Sequence, residues 1–88
     1  MHKILLVEDD ETIRQQVKKI MEQWGFEVIA VDDFMDVLGT FVQTNPHLIL
    51  MDIGLPLYNG YHWCQEIRKV SKVPIMFLSS RDQAMDIV

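Results

Sequence analysis

Apolar residues fall along the chain in short blocks whose spacing switches between two periods. Residues 4–7, ILLV, form a continuous apolar run without alternation, which predicts a strand covered on both faces. From Glu11 to Trp24 the apolar positions Ile13, Val17, Ile20, Met21 and Trp24 recur at helical spacing, with Asp10 or Glu11 suited to the helix start and Gly25 to its end. FEVIAV, residues 26–31, predicts a second strand. Asp32 and Asp33 are candidate caps for a helix carrying Phe34, Leu38, Phe41 and Val42; Gly39 weakens it by about 1 kcal/mol relative to alanine, and Asn45-Pro46 stops it. HLILMD, residues 47–52, predicts a third strand. Gly60 to Lys69 follows as a helix buried through Trp63, Cys64 and Ile67, and VPIMFL, residues 73–78, as a fourth strand. The last ten residues, SSRDQAMDIV, read as a loop and the beginning of a fourth helix.

Strict alternation of strand and helix predicts an α/β fold, a doubly wound parallel sheet with right-handed crossovers and helices on both faces. The 88 residues allow one domain, spanning 1–88, with one modest core. The pattern breaks off after its fourth strand, so that strand is expected to present an apolar edge, and such edges invite pairing with a second chain. Self-association is therefore expected of this chain.

Composition narrows the function classes. Apolar residues make up 49% and charged residues 24%, an ordinary balance for a folded soluble domain. Eight basic against 13 acidic residues, net −5, carry no electrostatic footprint for nucleic acid or an anionic membrane. Cys64 is the only cysteine and no Cys/His cluster has zinc-ligand spacing, which points to a reducing compartment. The four consecutive apolar residues of MHKILLVEDDE are too few for a signal peptide or a spanning helix, so a cytoplasmic location is expected.

In open parallel sheets the binding crevice lies at the carboxyl ends of the strands, near the point where strand order reverses. Here the first strand ends on Glu8, Asp9 and Asp10, the third on Asp52, and the fourth on Ser79 and Ser80. Carboxylates gathered at one edge repel, and a hard divalent cation with oxygen ligands relieves them; Mg²⁺ is the expected ion. A carboxylate beside such a cation can act as a nucleophile and form an aspartyl phosphate. Taken singly, Asp52 could be a strand-end acid in a turn, Asp10 only a helix cap, and Ser79 and Ser80 plain loop residues. LILMD also matches the second motif of a P-loop nucleotidase, but the chain has no GxxxxGK[ST]. His2, His47 and His62 are scattered without ligand spacing.

Together ILLVEDDE, LILMDIGLPLYNG and VPIMFLSS, in this order and at these separations, resemble the receiver domain of two-component response regulators from Lys3 to Ser80. The resemblance implies the flavodoxin-like receiver topology and makes Asp52 the acceptor of a phosphoryl group from a sensor histidine kinase. It implies that Asp9 binds Mg²⁺ directly, with Asp52, that Glu8 assists through water, and that the backbone carbonyl of Gly54 completes the protein ligands. Ser79 stands where the family has a hydroxyl that contacts the phosphoryl group, and Pro56 and Gly60 shape the loop after the acceptor. An output domain beyond this chain is implied as well, with transcription regulators carrying a winged-helix DNA-binding domain the nearest in appearance.

Two departures accompany the match. The family's fifth strand ends in a Lys-Pro whose lysine contacts the phosphoryl group, and it carries an aromatic switch residue; this chain has neither, and KVP at 72–74 precedes the fourth strand. A receiver-like docking module that takes no phosphate is thus one alternative. A Mg²⁺-dependent phosphatase with an aspartate nucleophile is another, although it usually has a second acid where this chain has Gly54. A flavin carrier of the same topology fits poorly, because its phosphate-cradling first loop would here hold three acids.

Overall fold

In a computed structural model, which describes residues 2–78 and 85–87, the elements are β1 (Lys3–Val7), α1 (Glu11–Gln23), β2 (Glu27–Ala30), α2 (Val37–Thr44), β3 (Leu48–Asp52), α3 (Gly60–Arg68), β4 (Ile75–Leu78) and β5 (Met85–Ile87). The sheet has the order β2-β1-β3-β4-β5. β1 pairs in parallel with β2 and β3, and β3 with β4, in the register Ile4↔Leu48, Val7↔Met51 and Asp52↔Leu78. The chain moves outward from β1 to β2 and then returns past β1 to β3, so strand order reverses between β1 and β3.

Successive side chains of a strand point to opposite faces, and both faces here are apolar. Ile4, Leu6, Val28 and Leu50 meet Val17 and Met21 of α1 on one side. Leu5, Val7, Ile49 and Met51 meet Val37 and Phe41 of α2 and Trp63, Cys64 and Ile67 of α3 on the other. This is the doubly wound arrangement the periodicity predicts. It accounts for strands without alternation, because neither face of β1 or β3 sees water.

Helix ends follow local chemistry. Asp10 caps α1 by accepting from the Ile13 N–H (3.0 Å). Gly25, at φ 91°, lets the chain turn back so that its own N–H reaches Glu22 O (3.0 Å) and the Phe26 N–H reaches Met21 O (3.1 Å), closing the helix's last carbonyls. Only part of the expected α1 stripe is covered: Val17 and Met21 pack on the sheet, whereas Ile20 and Trp24 are exposed.

Three expectations are corrected. α2 begins at Val37, not near Phe34, because Asp33 spends its carboxylate on the Met35 N–H two residues ahead (3.0 Å) and Asp36 is the residue that caps the helix, through the Gly39 N–H (2.9 Å). Val37 and Phe41 are its buried residues, and Val42 is exposed. The expected start of a fourth helix is, at Met85–Ile87, a short strand antiparallel to β4 in the register Met76↔Ile87 to Leu78↔Met85. An open strand edge offers unpaired N–H and C=O groups, and here the chain's own tail takes them. The parallel part of the sheet still ends at β4, as expected, but the edge of that strand is paired.

Candidate functional site

The carboxyl ends of β1 and β3 lie side by side at the reversal point and deliver two buried acids. Glu8, directly after β1, is 1% exposed and Asp52, the last residue of β3, is 2% exposed. Asp9, the next residue of the β1–α1 turn, is exposed. One carboxylate oxygen from each of Glu8, Asp9 and Asp52 lies within 4.8 Å of the others. Their meeting follows from the register: Val7 pairs with Met51, so the residues that follow, Glu8 and Asp52, are neighbours.

The electrostatics of this cluster are unfavourable as it stands. Burial, above all, then the adjoining Asp52 carboxyl and the charges of Asp9 and Asp10 push the Glu8 carboxyl from an ordinary 4.5 up to about 8. Among the described residues neither Glu8 oxygen has a hydrogen-bond partner. A buried carboxylate without a donor or a counter-charge is costly, and only a shared proton or a cation relieves it. The donor set consists of hard carboxylate oxygens with no nitrogen or sulfur, which suits Mg²⁺ rather than a softer metal. The orphaned Glu8 oxygens and the buried Asp52 therefore fit a hard divalent cation.

The loop after Asp52 is tied to the site. The Gly54 N–H donates to Asp52 Oδ1 (3.3 Å). The Gly60 N–H donates to Ile53 O (2.9 Å), closing the loop at its base, and the Ile53 N–H donates to Leu78 O (3.1 Å). A Cβ at Gly60 would collide with the Asp52 carbonyl oxygen, so α3 can start this close to β3 only with glycine. Asn59 caps that helix through the His62 N–H (3.0 Å). Pro56 is exposed within the loop.

Of the residues singled out in the sequence, Glu8, Asp9, Asp52, Gly54 and Gly60 come together around one edge, and Asp10 turns aside to cap α1. Ser79 and Ser80 lie outside the described residues. β5 carries no lysine. Two features had no sequence signal. Arg14, one turn into α1, sends its guanidinium to the Glu8 carbonyl (3.4 Å). Leu57 adopts φ 68°, a left-handed region that Gly25 and Asn45 also enter but that here holds a branched aliphatic side chain.

The match to known proteins agrees with this geometry. The family model of the response regulator receiver domain matches residues 4–88. Response regulator protein GraR of Staphylococcus haemolyticus (strain JCSC1435) is 53% identical over 83 residues, covering 94% of this chain and 37% of its own length, so the chain spans little more than a third of that relative. Among solved structures, the N-terminal domain of the nisin resistance regulator NsrR is 42% identical with a TM-score of 0.85, over 98% of this chain and 73% of that one. Response regulator TrrA of Thermotoga maritima, solved with Mg²⁺-BeF, is 30% identical with a TM-score of 0.86, over 93% of this chain and 72% of that one. TrrA is also solved in complex with the histidine kinase ThkA; that match has a TM-score of 0.82 and 30% identity, over 91% of this chain and 70% of that one. With the acids, the loop and the sheet arranged as described, the chain belongs to the response regulator receiver domains of two-component systems.

Proposed function

We propose that this chain is a phosphorylation-controlled switch that accepts a phosphoryl group on Asp52 from a sensor histidine kinase, with Mg²⁺ as cofactor. The observation that carries this reading is the buried Glu8 carboxylate, next to Asp52 and without a donor among the described residues. When bound, Mg²⁺ neutralises the acids and draws in the oxygens of the incoming phosphoryl group. Asp9 and Asp52 would hold it directly, Glu8 through water, and Gly54 through its carbonyl. The Gly54 N–H donates to Asp52 Oδ1, which leaves Oδ2 to attack phosphorus; the P–N bond to the kinase histidine breaks, its electron pair stays on the ring nitrogen, and the imidazole leaves as the neutral ring with a proton taken from water. Ser79 would then donate to a phosphoryl oxygen. Loss of the group by hydrolysis is slow and returns Asp52, so the chain is a switch with self-phosphorylation chemistry rather than a turnover enzyme.

TrrA, seen with both Mg²⁺-BeF and a histidine kinase, supports the choice of cofactor and partner. The share of GraR that this chain covers leaves room in such a protein for a second domain, and DNA binding and transcriptional control would reside there. Among the described residues no helix is long and apolar enough to cross a membrane; a cytoplasmic setting, where histidine kinases present their phosphoryl group, belongs to the same proposal. Self-association does too, now through the outer edge of the short β5, and sedimentation at rising concentration tests it.

The deciding experiment is incubation with Mg²⁺ and acetyl phosphate followed by intact-mass measurement. One added phosphoryl group in the parent chain and none in Asp52→Asn is expected. An unmodified parent chain overturns the reading in favour of a docking module.

A further inference from the structure

The loop that follows Asp52 contains a turn that its own sequence does not favour. The Tyr58 N–H donates to Pro56 O (2.8 Å) across Leu57, whose φ is 68°. A hydrogen bond spanning two residues around a positive φ is the rarer, strained form of the γ-turn. Strained backbone persists only where its surroundings over-determine it. Leu57 cannot supply that support, because the residue is 70% exposed. Its neighbour can. The Tyr58 ring lies on the His62 ring, with centroids 4.4 Å apart and planes 21° from parallel. Both rings stand edge-on to Trp63, at 5.7 Å and 83° for Tyr58 and at 4.8 Å and 77° for His62. Trp63 itself is 5% exposed and packed in the core under α3.

We propose that Tyr58, stacked on His62 against Trp63, is a clasp that holds the strained loop shut, and that Tyr58 and His62 are thereby positioning residues for the Gly54 end of the cation site. The geometry carries this directly. Gly54 and Tyr58 lie in one ring of chain closed by the Gly60 N–H to Ile53 O bond, and a closed loop of fixed length cannot release Tyr58 without moving its other members. The Gly54 N–H bond to Asp52 Oδ1, at 3.3 Å, is long enough to be lost in such a movement. The effect on cation affinity rests on the functional reading given above; the clasp itself does not.

The test compares the parent chain with Tyr58→Ala, Tyr58→Phe and His62→Phe, the last two keeping the stack. In the metal-free protein, amide hydrogen exchange at Tyr58 and Gly60 accelerates in Tyr58→Ala and stays at the parent rate in Tyr58→Phe and His62→Phe, while the β1 amides are unchanged in all three. In calorimetric titration with Mg²⁺, Tyr58→Ala binds about three- to tenfold more weakly, the range expected for one lost aromatic pair, and the two conservative variants bind as the parent does. Unchanged exchange in Tyr58→Ala overturns the clasp. Parent-like Mg²⁺ affinity in Tyr58→Ala overturns its link to the cation site. A parent chain that takes up no Mg²⁺ sinks the functional reading and that link with it, while the exchange rates still decide whether the clasp exists.

Discussion

β1 and β3 run side by side, and their two ends treat polar groups in opposite ways. At the amino end the Lys3 N–H donates to His47 Nδ1 (2.9 Å), the His47 N–H donates to Lys3 O (2.8 Å), and the Lys3 ammonium donates to Thr44 O (2.9 Å). Every one of these groups has found a partner. At the carboxyl end, a few residues further along, the same strands deliver Glu8 and Asp52 to a buried position where, among the described residues, neither Glu8 oxygen finds a donor. One end is closed; the other has an open valence for charge. The contrast shows where the fold departs from local consistency, and such departures gather at functional sites.

The largest effect should come from the middle, where the two ends share a core. Leu50 is fully enclosed against α1, and Leu50→Ala should lower stability by about 2–5 kcal/mol in denaturant melts. It should do so equally at pH 6 and pH 9, because it touches neither end's polar chemistry. A strong pH dependence of that loss would show that the ends are not independent.

Next comes the carboxyl end itself. Glu8 is held at about 8 in the folded chain against an ordinary 4.5, so its protonated form is the one the fold prefers. The resulting stability is fully present below about pH 4.5 and is lost as pH rises through about 8. The metal-free parent chain should therefore lose stability relative to Glu8→Gln between those values. Thermal melts of the pair across that window give the difference, and Mg²⁺ should restore the parent chain at high pH while doing little for Glu8→Gln. Parallel curves without metal would place the strain elsewhere than on Glu8.

The smallest effect belongs to the amino end. His47→Ala removes an acceptor for the Lys3 N–H at an exposed position, where water can replace it, and should cost about 0.5–1.5 kcal/mol. Mg²⁺ affinity should be untouched. A shift in Mg²⁺ binding in this variant would erase the distinction between the two ends.

The same contrast explains what could be read in advance. The apolar runs 4–7 and 48–51 are legible because buried parallel strands tolerate no polar residue on either face, and the acids that interrupt them stand out for the same reason. Glu8, Asp9 and Asp52 thus stand out in the sequence as strand-end acids of one sheet edge. The start of α2 does not, because Asp33 and Asp36 are equally good caps in isolation and only the turn through Met35 decides between them. Nor does β5, since Met85–Ile87 becomes a strand by answering the edge of β4 rather than by its own pattern. The turn at Leu57 was hidden because leucine at positive φ breaks the rule that would have announced it.

The glycine at position 60 has a mechanical consequence. With no side chain between the first residue of α3 and the carbonyl of Asp52, backbone rests against backbone with no compressible layer, and the Gly60 N–H bond to Ile53 O pins the joint. A shift of the strand end on taking up charge would pass to the helix undamped, as through a rigid coupling rather than a spring. Under the proposed function, α3 would be the element next to Asp52 through which a change at that aspartate reaches the outer surface.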